Sequence, residues 1–488
     1  MSQWVGAVFL VIAFAFLIQC FRLIDKGKTV VSIAVESLGT IASNKLSEEE
    51  KESELQQNSK KLFGLFVVLA AGGIAALLLP IGVLWLCEQV GWLSLNAVFE
   101  TTISPLFILI SSVVLILVLF FADRFGSNSQ TEVNRYSSLD QTLHQIAFKT
   151  YPAQASLANI EDKLFAKDLA GCDSDKPIFI TALPRAGTTL LLECFADLPE
   201  FATHCYRDMP FVLIPYFWNR YSRTFQREIE SQERAHGDGM KINPDSPEAL
   251  EEVIWTTFWP KHFQQDRIIP WDSERNGDFE KFFRSHMHKI ILLRRHNNRS
   301  NARYVSKNNA NIARIPLLKT LFPSSVIIIP FRDPLHHAAS LLQQHLNFLA
   351  IHQSDPFAAE YMKAIGHFDF GQNFCPIDFD GWLDQRQTKS ADSISFWLEY
   401  WVNSYQYLLT NSHKNLNFLN YDALCQTPEE GLSVIAQTVN SHEPKTLVGK
   451  ASSIGSPRPK QIDKSGLSHS LLDRVNDVYC QMKALSLN

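Results

Sequence analysis

The stretch PIFITALPRAGTTLLL, Pro177 to Leu192, decides the fold of this 488-residue chain. PIFITA is a short apolar run behind a proline, as a buried strand reads; LPRAGTT is turn-forming, and TLLL starts a helix. A strand, a glycine turn and a helix N-terminus in succession form an anion-binding loop, because backbone N–H groups and the helix dipole converge on one point. A nucleoside-triphosphate loop would read GxxxxGK[ST]. Here Thr188 stands where that lysine belongs, and the cation, Arg185, precedes Gly187 by two residues. Gly187 permits the tight turn, Thr188 and Thr189 add hydroxyl donors, and Arg185 can grip a phosphate or sulfate through two N–H groups.

Working outward, three further β-rich runs follow: Ala302–Ser306, Ser325–Phe331 and Leu416–Tyr421. Longer helical stretches separate them, which predicts an α/β fold, a P-loop-like parallel sheet flanked by helices. Ligands in such a fold bind beyond the carboxyl ends of the strands. Each run ends in a polar signature: PRAGTT, KNN, RDP and YDAL. In FRDPLHHAAS, a helix starting near Pro334 places Ser340 about two turns along, close enough for Arg332 and Ser340 to clamp one phosphate.

The N-terminal quarter is different. Three uncharged apolar segments, Trp4–Phe21, Leu62–Cys87 and Pro105–Ala122, have the length of membrane-spanning helices. No Lys or Arg precedes the first, and no small-residue cleavage site follows it, so it reads as a retained span. The loop between spans one and two carries Arg22, Lys26, Lys28, Lys45, Lys51, Lys60 and Lys61, whereas the loop between two and three has no Lys or Arg. Positive loops stay inside, so the N-terminus is expected outside and the chain after about Ala122 in the cytoplasm. The expected organisation is a membrane anchor over 1–125, with spans near 4–21, 62–87 and 105–122 and a cytoplasmic helical loop over 22–61. A linker over 126–138 and a catalytic domain over 139–488 follow.

Net charge is -5, which gives no general pull toward nucleic acid, and no zinc-finger or RNP-like pattern occurs. The eight cysteines show no CxxC or metal-ligand spacing and read as reduced thiols. His336, His337, His345 and His352 cluster in sequence but lack acidic partners at helical spacing, so no metal is expected. The cation-rich run His288–Arg299 reads as a solvated helix face.

Together, Arg185-Ala186-Gly187-Thr188-Thr189 and Arg332 with Ser340 resemble the paired motifs of the sulfotransferase superfamily. The resemblance covers most of the region from about Cys172 to Lys464 and is closer to bacterial and tyrosylprotein-type members, whose loop uses arginine, than to cytosolic phenol-type members, which use lysine. It implies that the loop holds the 5′-phosphosulfate of 3′-phosphoadenosine 5′-phosphosulfate (PAPS), a co-substrate, and that Arg332 and Ser340 hold its 3′-phosphate. SKNNANIARIPLLKTLFPSSVIIIPFRDP, with Lys307, and LNYDALCQTPEE, with Tyr421, are similar to further blocks of the bacterial members. In relatives a late basic segment closes over the nucleotide; Arg458, Lys460 and Lys464 are the candidates here. The membrane spans make the expected acceptor a hydroxyl on a glycan, glycolipid or lipid-like molecule at the bacterial inner membrane. A homo-oligomer is left open.

Sulfuryl transfer builds charge on the bridging oxygen, which Arg185 and the loop N–H groups are placed to stabilise without a metal. A general base is needed as well. Asp208 and His236 are the leading candidates, with Asp238, Glu248, Glu251 and Glu252 nearby in sequence. Two other readings remain: a P-loop kinase or NTPase, disfavoured by the missing lysine, and a membrane scaffold with a vestigial nucleotide site.

Overall fold

The computed structural model describes the chain except for residues 1, 24–25, 27–28, 31–32, 34–47, 105–106, 108–143, 145–146, 149, 171–174, 223–231, 234–240, 244, 273, 295–301, 387–389, 412–415, 456–461, 463 and 465. It falls into two compact units, Met1–Glu132 and Val133–Asn488.

The first unit contains the helices Ser2–Cys20, Glu48–Gln89 and Leu95–Ile103. Ala7, Leu84, Val98 and Phe107 form a small apolar core. Most other large apolar side chains face outward; Phe63 and Phe66 are 70% and 67% exposed. Two helical stretches, Gln3–Cys20 and Leu55–Gln89, are long and apolar enough to cross a membrane. Almost all of the expected third span, 105–122, lies outside the described residues. From Glu48 the stretch 47–62, acidic at its start and lysine-rich at its end, is helical and continues without a break into the second apolar segment, to Gln89.

The second unit is built on five parallel strands in the order β2-β5-β1-β6-β7: β1 (Ile178–Ile180), β2 (Phe201–Ala202), β5 (Arg303–Lys307), β6 (Val326–Phe331) and β7 (Asn417–Asn420). Strands β3 (Gln232–Glu233) and β4 (Lys241–Ile242) form a separate antiparallel pair. The four apolar runs read from sequence are the four longest strands of the sheet. The fifth, β2, is a two-residue edge too short to leave a periodic signal.

Alternation along the central strands divides the core. Phe179, Ile327 and Ile329 face one apolar cluster with Phe279, Phe283, Ala338 and Trp401. Ile178, Ile180 and Ile328 face a second cluster with Leu191, Phe195, Leu432 and Ile435. Each strand is therefore apolar on both sides, as a doubly covered parallel sheet requires. Helices Gly277–Arg294, Pro334–Ser354 and Ile394–Asn411 cover the first face; Thr188–Ala196 and Pro428–Thr438 cover the second.

The cation-rich run from His288 is not a solvated face over its helical part. Lys289 is buried and pairs with Glu161 at 2.8 Å and Asp162 at 2.7 Å. The paired acids lie on another helix, 127 and 128 residues away in sequence, so nothing local to the run revealed them.

Candidate active site

The register of the sheet brings the signatures to one rim. Ile180, the last residue of β1, is aligned with Lys307 of β5 and Ile328 of β6, and Phe331 is aligned with Asn420 of β7. Beyond β1 the chain curls sharply. Arg185 has φ +70° and Gly187 φ +95°, both in the left-handed region. A side chain at Gly187 would also collide, because an added Cβ would lie 2.2 Å from the Tyr421 ring. Thr188 then opens the helix Thr188–Ala196, whose unpaired N-terminal N–H groups give the rim its anion-attracting pole. The Thr188 hydroxyl donates to Asn309 Oδ1 at 3.3 Å, tying the loop to the segment after β5.

Beyond β6, Asp333 caps the helix Pro334–Ser354, accepting from the His336 N–H at 2.9 Å. This start sets Ser340 on the side of the helix that meets the β1 loop, where Arg185 Nε donates to Ser340 Oγ at 3.4 Å. The Arg332 guanidinium lies 5.7 Å from the centre of the Tyr421 ring, within cation–π range. Arg332 Nε is buried and makes no hydrogen bond, so this donor awaits an acceptor. Burial pushes the Tyr421 hydroxyl up to about 12, which keeps it protonated as a donor at neutral pH. Asp422 accepts from the Asp333 N–H at 2.6 Å and so locks YDAL against RDP. A glycine cradle, a helix N-terminus and an arginine with an unmatched donor form a set that fits a doubly phosphorylated nucleotide.

Lys307 borders a cleft beside this rim, of about 610 Å³ and open to solvent. Leu183, Ile365, Phe368 and Tyr400 supply apolar wall, while Lys307, His367 and Asp369 are polar. A buried network supports it. Glu252 takes both Arg314 terminal nitrogens, at 2.6 and 2.7 Å, and accepts from Asn308 at 2.7 Å. Arg314 is sandwiched near Trp255 and Trp271, 4.4 and 4.2 Å from their ring centres. Glu251 accepts from Trp255, Asn311 and Tyr304. Two of the acids considered as bases from sequence, Glu251 and Glu252, are thus committed to holding the KNN turn.

Asp208 lies apart from that cleft and is fully buried. It accepts from Arg294 at 2.5 Å, from the Cys205 N–H at 3.0 Å and from Asn219 at 2.9 Å. Burial alone would raise its pKa, but Arg294 and His204 outweigh that and hold the carboxyl well below its usual range. Such a carboxylate is an anchor for the segment after β2, poorly suited to collect a proton from a substrate. His236, Arg458 and Lys460 lie outside the described residues; Lys464 is exposed. Among the described residues no group of three or more metal-ligating side chains forms.

Two cleft-side residues carried little signal. His367 was overlooked, though the paired glycines of GHFDFG, Gly366 and Gly371, mark a tight loop there. Glu248 was one acid among several.

Residues 177–369 match the model of the sulfotransferase family (Sulfotransfer_3). Among solved structures, the chain is similar to sulfotransferase STF9 from Mycobacterium avium, with 10% identity and a TM-score of 0.37 over 66% of this chain and 80% of that one. It is also similar to sulfotransferase STF1 from Mycobacterium tuberculosis H37Rv, with 12% identity and a TM-score of 0.32 over 69% and 81%. No curated protein matches it in sequence. The matched segment runs from β1 through the arginine loop, the KNN turn and the RDP helix to Asp369, and over that segment the chain matches the sulfotransferase family.

Proposed function

We propose that the chain transfers a sulfuryl group from PAPS to an acceptor hydroxyl in the cleft beside Lys307. The observation that carries this is the convergence of Arg185, Gly187, Arg332, Ser340 and Tyr421 on one rim, with Arg185 touching Ser340. PAPS supplies an activated sulfuryl group on a phosphate leaving group. Arg185, Ala186, Gly187, Thr188 and Thr189 would hold the phosphosulfate, the N–H groups facing the oxygen on which charge builds. Arg332 and Ser340 would bind the 3′-phosphate, with Tyr421 packed below. Lys307, adjacent to the β1 terminus, would face the leaving oxygen. Arg458, Lys460 and Lys464 are the proposed closing cations.

The two apolar helices and the lysine-rich loop between them support a membrane anchor with the catalytic unit at the cytoplasmic face. A hydroxyl on a glycan, glycolipid or lipid-like molecule is the acceptor class that such an anchor would serve. Titration calorimetry tests the donor site: adenosine 3′,5′-bisphosphate should bind detergent-purified protein far more tightly than ATP. No binding, or a preference for magnesium ATP, would overturn the proposal.

A further inference from the structure

Transfer to a hydroxyl requires a proton acceptor at the cleft. His367 lines that cleft, and its loop is fixed. Gly366 has φ +81°, and an added Cβ would lie 2.4 Å from the Glu252 side chain, so the backbone is pressed against the buried network. The His367 N–H donates to the Met362 carbonyl at 2.8 Å. Asp369 accepts from Asn309 Nδ2 at 2.8 Å, and Asn309 in turn meets Thr188 of the anion loop. The loop that carries His367 is thereby tied to the sulfuryl-binding loop through the side chains of Asp369, Asn309 and Thr188.

Glu248, on another element, lies where the charge of His367 acts on it. Its Oε1 accepts from the Ala249 N–H at 2.7 Å, and the Tyr206 hydroxyl bonds to it. Burial alone would raise its pKa; the charges of His367 and Lys307 and these hydrogen bonds reverse that and keep it ionised. Glu248 does not itself line the cleft, whereas His367 does. A carboxylate whose charge reaches an imidazole stabilises the ring's protonated form.

We propose that His367 accepts the proton of the acceptor hydroxyl and that Glu248 positions it, an inference that rests on the sulfotransfer function proposed above. The acceptor oxygen bonds to sulfur while the bond from sulfur to the bridging phosphate oxygen breaks, and that electron pair leaves on adenosine 3′,5′-bisphosphate. The acceptor's proton moves to the imidazole, which later releases it to solvent. The charged groups facing this centre are Glu248, Lys307, Asp369 of the same loop, and Glu252, already paired with Arg314.

The test uses full-length protein, PAPS and two acceptors, phenol and 4-nitrophenol, at pH 8, where 4-nitrophenol is already largely ionised. His367→Asn should lower kcat for phenol by about 100-fold or more but for 4-nitrophenol by less than about tenfold. Glu248→Gln should lower kcat for phenol by about tenfold with KM unchanged, and Glu248→Asp should recover part of it. The pH midpoint for diethyl pyrocarbonate labelling of His367, read by peptide mass spectrometry, should fall by about one unit in Glu248→Gln. Equal losses with both phenols, or an unchanged labelling midpoint, would overturn the assignment. Labelling needs no acceptor, so it decides the matter even if wild type sulfates neither phenol. Bisphosphate binding should stay within about twofold of wild type in each variant; its absence in wild type would instead count against the donor-site reading.

Discussion

His337 donates its Nε2 proton to the Pro184 carbonyl at 2.7 Å, fastening the RDP helix to the turn that presents Arg185. The ring is fully buried, and burial pushes its pKa down from 6.5 to about 3. Above pH 6.5 the ring is neutral in both folded and unfolded chains. As pH falls from 6.5 toward 3, the unfolded chain takes up a proton that the folded one refuses, so stability falls. His337→Gln keeps a donor but does not titrate. It should remove about 2 kcal/mol of the stability loss between pH 7 and pH 5, read from urea unfolding at both. Identical pH slopes for the two proteins would show that His337 is not the linked group.

Arg332→Ala should weaken adenosine 3′,5′-bisphosphate by about ten- to 100-fold, the value of a lost charge-assisted contact. Adenosine 5′-monophosphate, which lacks the 3′-phosphate, should be weakened by less than about threefold. Calorimetry with both nucleotides makes the comparison; equal losses would place Arg332 elsewhere on the donor.

Gly187→Ala meets two obstacles, a left-handed φ and the Tyr421 ring. The backbone term alone costs about 1–2 kcal/mol, and the clash adds to it. Bisphosphate binding should be lost in the single variant. The double variant with Tyr421→Ala should remove the clash and recover some thermal stability, though not affinity. A single variant that binds normally would mean that the turn is not the anion cradle.

Asp208→Asn should be a folding variant. Removing the charge leaves Arg294 without its partner against a buried site, a change that costs about 3 kcal/mol. The thermal midpoint should drop by several degrees, while bisphosphate affinity measured in the cold should hold. Unchanged stability with sulfuryl transfer abolished would instead return Asp208 to the role of base.

The strands and their signatures were legible in the sequence because both are local. PIFITA and SVIIIPF are continuous apolar runs, and each signature lies within a few residues of its strand. The contact between Arg185 and Ser340 was not legible, since nothing local pairs residues 155 positions apart; the sequence placed Ser340 only with Arg332. The ion pair of Asp208 was not legible, because its partner Arg294 lies 86 positions away. His367 carried little sequence signal because it lies in irregular backbone, and its loop meets the site through Asp369, Asn309 and Thr188, a path that exists only after folding.

The contact between Arg185 and Ser340 bears on how the donor is proofread. In the proposed donor site one guanidinium would stand between the sulfuryl end of the nucleotide and the serine proposed to bind its ribose phosphate. A donor with that phosphate would engage Ser340 and release Arg185 toward the sulfuryl group. Adenosine 5′-phosphosulfate, without it, would leave the serine competing for the arginine. Discrimination against the incomplete donor is therefore expected to show in turnover as well as in affinity: the enzyme would sense a missing group at one end of its substrate by failing chemically at the other.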